Sequence, residues 1–272
     1  MHRQRHDIPN KLQGETLVRN QLFEKYKERP LVRILPELNV IKIGGHGIID
    51  YGRDVVLPLV DELGSLSEHH QILVITGGGV RVRHIMDIGL DLGMPTGILS
   101  ELTSKISEQN ALMMATLLAP WKAKRIHTTD LLELPTLLAM GALPVTHGTP
   151  PYGLYEHPSE RSNGGIPAHR TDTGAFLAAE VLGAKRCILA KNVDGLFDKD
   201  PLKNQDVVLI PEITASELIE MNMEDLVLER KLLEIMLESG NLPCVQIVNG
   251  HKPGMITRAV MGENEGTLIW AR

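Results

Sequence analysis

A lysine and two glycine-rich turns give the chain residue types that suit phosphate binding. Lys42 stands near the end of an apolar strand predicted over residues 38–43, and a second strand is predicted over residues 71–76. Both strands run into glycines, which let backbone N–H groups approach an anion, and a helical pattern follows each turn. We expect Lys42 to face an anion, with a buried ion pair as the alternative. The glycines of the two turns are Gly44 and Gly45, then Gly77, Gly78 and Gly79.

Two further charged residues stand near predicted helix starts. Arg83 follows the second glycine turn within the first turns of a helix, where the helix dipole is unfavourable for a cation. A bound anion would explain that position. Asp172 begins a helix predicted over residues 172–182, where capping of backbone N–H groups is the simpler explanation. The functional alternative is that Asp172 orients Lys42 or a metal-bound phosphate.

A charged segment, residues 190–201, follows another predicted buried strand. Lys191, Asp194 and Asp200 lie within ten residues of one another, which suits a nucleotide bound with Mg²⁺ better than a hydrophobic core. Open α/β sheets bind ligands at strand ends of this kind. A solvated surface loop with an Asp-Gly turn is the alternative.

Strands and helices alternate along the chain, which predicts an α/β fold with a mainly parallel sheet and crossover helices. Thr214 and Glu217 have the spacing of a capping box at a helix start. Residues 148–170 lack periodicity, so they are predicted to form a functional lid or an interface loop. Residues 1–36 are predicted to be an N-terminal extension. The other predicted helices cover residues 104–118, 131–140 and 228–237, and the other strands 125–128, 142–146, 187–189, 207–210, 245–248 and 267–269.

The composition of the 272-residue chain is that of a globular protein. Apolar residues make up 43% and charged residues 23%, and the net charge of -6 argues against extended nucleic-acid binding. The two cysteines, Cys187 and Cys244, precede apolar runs and do not suggest a disulfide framework. No apolar segment reaches the length of a membrane span. We expect a cytoplasmic protein that binds neither nucleic acid nor membrane.

Five ordered motifs resemble those of the amino acid kinase superfamily. The glycine turns match neither the Walker pattern nor the dinucleotide pattern, so this resemblance carries more weight than either. It extends from about residue 37 to 270 and implies a kinase domain over residues 37–272. The implied fold is a three-layer αβα sandwich around a mainly parallel sheet. The motifs are Lys42-Ile43-Gly44-Gly45, Gly77-Gly78-Gly79 with Arg83, Thr171-Asp172-Thr173-Gly174-Ala175, Val193-Asp194-Gly195-Leu196-Phe197 with Asp200-Pro201, and the region 249–267.

Within the superfamily, the resemblance to bacterial uridylate kinases implies roles for individual residues. Lys42 and the glycine turns would contact the transferred phosphate, and Arg83 and Asp172 would lie near the reaction centre. The ATP side would include Lys191, Asn192, Phe197 and Asp200. Catalysis would then be ATP hydrolysis or phosphoryl transfer by charge neutralisation and alignment with Mg²⁺.

The acceptor side departs from uridylate kinases and resembles the subunits of molybdenum storage proteins, which belong to the same superfamily. That resemblance rests on the long loop at 150–167 and on the segment 172–177. It implies an ATP-binding subunit that gathers molybdate or tungstate as polyoxometalate clusters. The subunit would form part of a dimer-based cage, with a hexamer as one arrangement, together with copies of itself or with a paralogous subunit.

The histidine run that holds clusters in one subunit type of those proteins does not occur in this chain. His147, His157 and His169 are the candidate oxometalate contacts in its place.

Two other functions stay open. One is a uridylate or related kinase, which the Lys42, Arg83 and Asp172 set supports. The other is a non-catalytic nucleotide-binding cage subunit, which the absent histidine run supports.

Overall fold

The computed structural model describes residues 30–156, 164–199, 204, 206–223 and 225–272. The elements given below all lie within one compact unit, Arg33–Arg272. Most of the predicted N-terminal extension, residues 1–29, lies outside the described residues. The domain boundary at residue 37 stays a prediction.

An eight-stranded sheet in the order β3-β4-β2-β1-β5-β9-β10-β8 forms the centre of the fold. Its neighbouring strands pair in parallel except for β9 and β10, which pair antiparallel. A separate two-stranded antiparallel ribbon pairs β6 with β7. The strands are β1 Asn39–Ile43, β2 Ile72–Thr76, β3 Ala123–Arg125, β4 Leu143–His147, β5 Arg186–Lys191, β6 Leu196–Phe197, β7 Leu209–Ile210, β8 Glu212–Thr214, β9 Cys244–Asn249 and β10 Thr267–Trp270.

Helices cover both faces of the sheet, because the central strands are apolar on both sides. Val40 packs with Phe176 and Leu232 in one core, whereas its neighbour Ile41 packs with Leu63 and Met114 in the other. The predicted three-layer sandwich is therefore confirmed. The helices of the described residues are α1 Arg53–Ser67, α2 Val80–Asp91, α3 Thr96–Leu117, α4 Leu134–Ala139, α5 Thr171–Leu182, α6 Ala215–Glu220, α7 Arg230–Met236 and α8 Met255–Met261.

The topology reverses direction at β1, which lies between β2 on one side and β5 on the other. The chain continues from β1 to β2 on one side, and β5 is added later on the other side of β1. A crevice at the carboxyl ends of the strands is the usual result of such a reversal. The fold thus brings the end of β1, with Lys42, beside the ends of β2 and β5.

One predicted boundary was wrong by eight residues. The long helix α3 begins at Thr96, not at Ser104, and Pro95 with ψ 148° ends the extended chain before it. Its buried side includes Ser100, Thr103 and Ser107, so the apolar periodicity that marks a helix is interrupted there. The predicted capping box is confirmed, because the Glu217 N–H donates to the Thr214 hydroxyl and the Thr214 N–H donates to the Glu217 carboxylate.

Residues just before β1 attach to the end of α5. The Leu35 N–H donates to the Leu182 carbonyl over 2.8 Å, and the Arg33 guanidinium donates to the Gly183 carbonyl over 2.9 Å. No helix in the part of the chain that the structure describes is long and apolar enough to cross a membrane.

Candidate functional site

The two predicted glycine turns lie against each other at the carboxyl ends of β1 and β2. A Cβ atom on Gly45 would overlap the backbone of Gly79, so only glycine allows this approach. Gly79 itself has a φ of 78°, a conformation that favours glycine. The Asp50 carboxylate accepts a hydrogen bond from the Val80 N–H over 2.7 Å and so caps the start of α2.

Lys42, Asp172 and Lys191 form a buried charged cluster beside these turns. The Lys42 ammonium lies 2.6 Å from one carboxylate oxygen of Asp172, and the Lys191 ammonium lies 2.6 Å from the other. The Lys42 and Asp172 side chains are each 5% exposed. Lys42 is therefore ion-paired with Asp172, which was the alternative to facing a bound anion. Asp172 is in position to orient Lys42, as its functional alternative predicted.

Burial and charge act in opposite directions on this cluster. Burial alone would raise the pKa of the Asp172 carboxyl, but the Lys191 and Lys42 ammonium groups hold it well below its usual range. Burial lowers the pKa of the Lys191 ammonium, and the Asp172 carboxylate opposes that shift. At neutral pH the Asp172 carboxylate is therefore ionised between the two lysines.

The first turn of α5 places Asp172, and a distant carboxylate holds that turn. Glu229, the residue before α7, accepts hydrogen bonds from the N–H groups of Asp172 and Thr173 over 2.9 Å and 3.0 Å. It also accepts one from the Thr173 hydroxyl over 2.7 Å. The helix N-terminus is therefore capped by Glu229, while Asp172 keeps its own carboxylate for the two lysines.

A solvent-open pocket of about 360 Å³ lies over the cluster. Its lining has four lysine or arginine side chains against two carboxylates, so its charge favours an anionic ligand. Ten of the residues predicted for catalysis or nucleotide binding line it together. They are Lys42, Gly44, Gly45, Gly77, Gly78, Gly79, Arg83, Asp172, Lys191 and Asn192; Arg170 and Glu229 supply the remaining charges.

Asp194 and Phe197, also predicted on the nucleotide side, do not line this pocket. Asp194 accepts a hydrogen bond from the Asn249 amide over 2.9 Å and pairs with the Lys252 ammonium over 2.6 Å. Phe197 is half-buried in the short strand β6. Asp200 lies outside the described residues. Asn192, in contrast, lies against the first glycine turn, where a Cβ on Gly47 would be 3.0 Å from the Asn192 side-chain oxygen.

Two of the candidate oxometalate histidines, His147 and His169, line different cavities. His169 lines the pocket, and its Nδ1 lies 2.9 Å from a carboxylate oxygen of the buried residue Glu156. His147 lies at the end of β4 and lines a second, apolar cavity of about 280 Å³. His157 lies outside the described residues.

Tyr152 contacts His169 and also lines the cavity that His147 lines. Its ring packs edge-on against His169 with 5.5 Å between ring centres, and Tyr152 also lines the second cavity. Burial, helped by the Glu156 carboxylate, raises the pKa of Tyr152 to about 12. Tyr152 is therefore a neutral hydroxyl at physiological pH.

His147 should make the protein less stable in acid. Burial lowers the pKa of His147 to about 4 in the folded state, against about 6.5 when unfolded. The unfolded state therefore binds more protons between these values, and stability is lost as the pH falls from 6.5 towards 4. We expect the free energy of unfolding of wild type to fall more steeply there than that of His147→Gln, by at most about 1.4 kcal/mol per pH unit. Equal slopes in urea titrations at several pH values would contradict this expectation.

Sequence reasoning missed several pocket residues. Glu229 stands in no motif, and its contact with α5 spans 56 residues or more, so no local signal could have found it. Thr103 and Ser107 also line the pocket, and they lie on the part of α3 whose polar face obscured the helix start. Only the fold brings these residues to the pocket.

No cluster of three or more histidine, cysteine, aspartate or glutamate side chains able to hold a metal ion occurs within the described ranges. Mg²⁺ is usually held by one or two carboxylates together with substrate phosphates and water. Both Asp172 carboxylate oxygens are held by lysine ammonium groups, whereas the Asn192 amide oxygen offers an atom of that kind at the pocket. The residues therefore fit a Mg²⁺ ion that arrives with a polyphosphate.

Comparisons with known proteins agree with this architecture. The family model described as "Amino acid kinase family" matches residues 37–249. Two similar solved structures are the uridylate kinase from Archaeoglobus fulgidus and the UMP kinase from Bacillus anthracis. Their TM-scores are 0.67 and 0.69, with 23% and 19% identity, and they cover 85% and 89% of this chain. The matches span 99% and 97% of those two chains, and at this identity they show the fold alone.

Curated relatives extend the comparison at higher identity. Molybdenum storage protein subunit beta from Azotobacter vinelandii is 41% identical over 239 residues, which cover 88% of each chain. The uridylate kinase of Methanothermobacter thermautotrophicus is 29% identical over 238 residues, covering 85% of this chain and 98% of the relative. The chain belongs to the amino acid kinase family, and molybdenum storage protein subunit beta is its relative at 41% identity.

Proposed function

We propose that this chain is the ATP-using subunit of an oligomeric protein that takes up molybdate or tungstate. The observation that carries the proposal is the convergence of Lys42, Asp172 and Lys191 beside two touching glycine turns. The 41% identity to a molybdenum storage protein subunit over 88% of both chains supports the choice of cargo. That relative is named as a subunit, which supports an assembly with a second copy or a paralogous chain.

The pocket suits the triphosphate of ATP as its anionic ligand. The two ammonium groups of Lys42 and Lys191 would neutralise charge on the transferred phosphate, and Asp172 would keep both in place. Backbone N–H groups of the glycine turns would face the phosphate oxygens. In hydrolysis, a water oxygen attacks the terminal phosphorus, and the bond to the ADP oxygen breaks. Mg²⁺ bound to the phosphates would supply further charge neutralisation.

Arg83 and Arg170 are the proposed contacts for the oxyanion. Both line the pocket, and Arg83 is exposed at its mouth. Guanidinium groups form paired hydrogen bonds with tetrahedral oxyanions as they do with phosphate. His169 lines the same pocket, so we propose it as the first oxometalate contact. His147 would act separately, from the second cavity.

Metal retention tests the proposal. Purified protein is incubated with molybdate, Mg²⁺ and ATP, passed through a desalting column, and analysed for molybdenum per subunit. We expect more retained metal than in a matched sample without ATP, together with release of ADP. Equal retention with and without ATP would rule the proposal out.

A uridylate kinase is the second candidate, because Lys42, Arg83 and Asp172 all line one pocket. The 29% identity to a uridylate kinase over 98% of that enzyme also favours it. A coupled assay for ADP with UMP as the acceptor separates the two functions. UMP-dependent ADP release without ATP-dependent metal retention would favour the kinase. An assembled protein that binds ATP and shows neither activity would be the non-catalytic cage subunit.

A further inference from the structure

We propose that Glu229 is a positioning residue of this site, whose carboxylate holds the first turn of α5 so that Asp172 lies between Lys42 and Lys191. The inference deepens the proposed function, because it assigns a role within the same pocket. It rests on the hydrogen bonds that Glu229 receives and on where the residue stands in the chain.

The Glu229 carboxylate receives four hydrogen bonds from the start of α5. Its Oε1 accepts the Asp172 N–H over 2.9 Å. Its Oε2 accepts the Thr173 N–H over 3.0 Å, the Thr173 hydroxyl over 2.7 Å and the Arg170 N–H over 3.2 Å. Glu229 is 7% exposed, so these bonds are shielded from water. One carboxylate therefore satisfies most of the N–H groups that a helix start leaves without intrahelical partners.

Local residues do not replace this cap. Arg170, the residue before the helix, makes no side-chain capping hydrogen bond. Asp172 is the acidic residue of the first turn, but both of its carboxylate oxygens point to lysines. If Asp172 capped its own helix, as acids in a first turn often do, its carboxylate would leave the lysines. Glu229 removes that competition and leaves Asp172 for the cluster.

The chain position of Glu229 links this turn to the other side of the pocket. Leu226, Val227 and Leu228 line the pocket directly before it, and α7 begins directly after it. A ligand that contacts residues 226–228 therefore contacts the segment that leads into Glu229, whose carboxylate accepts a hydrogen bond from the Asp172 N–H. Ligand binding and the placement of Asp172 are coupled through Glu229.

Glu229→Gln keeps the shape of the side chain but changes the hydrogen bonds that it can accept. A glutamine has one oxygen and one NH₂ group, so it cannot accept from both sets of donors. With its oxygen facing the three donors of Oε2, its NH₂ group faces the Asp172 N–H and that bond is lost. The change therefore acts on Asp172 first.

Glu62→Gln is a matched control. The Glu62 carboxylate caps α8 in the same way, accepting from the Gly254 N–H over 3.0 Å and from the Thr257 N–H and hydroxyl over 2.7 Å and 2.9 Å. Neither Glu62 nor the residues that it caps line the pocket. The two variants lose the same kind of bonds, and only one of them loses bonds at Asp172.

The test combines amide hydrogen exchange with ATP turnover in the presence of molybdate, using the full chain. In Glu229→Gln we expect exchange at Asp172 and Thr173 to be about fivefold faster. We expect kcat to fall about tenfold to a hundredfold, with KM for ATP within about threefold of wild type, since misplacing a reacting group affects the reaction step. Glu62→Gln should leave kcat unchanged and speed exchange only at the start of α8.

Several results would overturn the inference. It is wrong if exchange at Asp172 is unchanged in Glu229→Gln, if exchange rises while kcat stays at the wild-type value, or if Glu62→Gln lowers kcat equally. Should wild type show no ATP turnover, the proposed function fails, and the exchange at Asp172 and Thr173 alone decides whether Glu229 holds this turn. If Glu229→Gln does not fold, Thr173→Val removes one donor to Oε2, and a smaller change in the same direction is expected.

Discussion

Asp172→Asn is expected to lower the free energy of unfolding by roughly 3–5 kcal/mol and to reduce ATP turnover below detection. The substitution removes the one carboxylate that lies 2.6 Å from both the Lys42 and the Lys191 ammonium groups. Two buried positive charges would then face each other without compensation. Because burial already lowers the pKa of Lys191, we expect one of the lysines to lose its proton in the variant.

Urea unfolding and a coupled ADP assay measure these two effects. Asp91→Asn is the control, because Asp91 is exposed at the end of α2. It removes the same charge from the protein, and surface substitutions usually change stability by no more than about 0.5 kcal/mol. An Asp172→Asn protein with wild-type stability and turnover would show that the cluster has neither role.

Lys42→Met should reduce ATP turnover with little loss of stability. We expect ATP turnover to fall by about 10²–10³-fold, which is typical for removing one group that stabilises charge in a transition state. The free energy of unfolding should change by no more than about 1.5 kcal/mol, since methionine fills a similar volume. Asp172 also keeps Lys191 as a partner, so no buried carboxylate is left unpaired.

The matched control for this variant is Lys105→Met. The Lys105 side chain is 62% exposed on α3 and pairs with Glu101 over 3.0 Å, a contact typical of helix surfaces. Its removal should leave turnover unchanged. Loss of turnover in Lys105→Met would point to a general effect of charge, whereas full turnover in Lys42→Met would place the phosphate elsewhere.

The site residues that lie at the ends of strands could be predicted from the sequence. Lys42, the two glycine turns and Lys191 each follow an apolar run, and parallel strands bring their carboxyl ends to one edge. The convergence of these residues therefore follows from the period of the apolar residues and the positions of glycine. Helix and strand boundaries were less accurate, as the start of α3 at Thr96 shows.

Contacts between distant segments could not be predicted in the same way. Glu229 reaches α5 because α7 packs beside it, and nothing in the residues around Glu229 marks that contact. The histidines show the same difficulty. His147 and His169 were grouped by residue type, but they line different cavities, since β4 ends on one side of the long loop and residue 169 lies on the other. Residue type identified the candidate histidines, but only the fold shows which cavity each of them lines.

Molybdenum retained per subunit should be compared between wild type and Lys42→Met, because this comparison shows whether metal loading depends on the buried lysine. Both proteins are incubated with molybdate and Mg²⁺, with and without ATP, and desalted before metal analysis. We expect ATP to raise retention in wild type and to have no effect in Lys42→Met. ATP-dependent retention of equal size in both proteins would contradict it, because loading would then not depend on the buried Lys42–Asp172–Lys191 cluster.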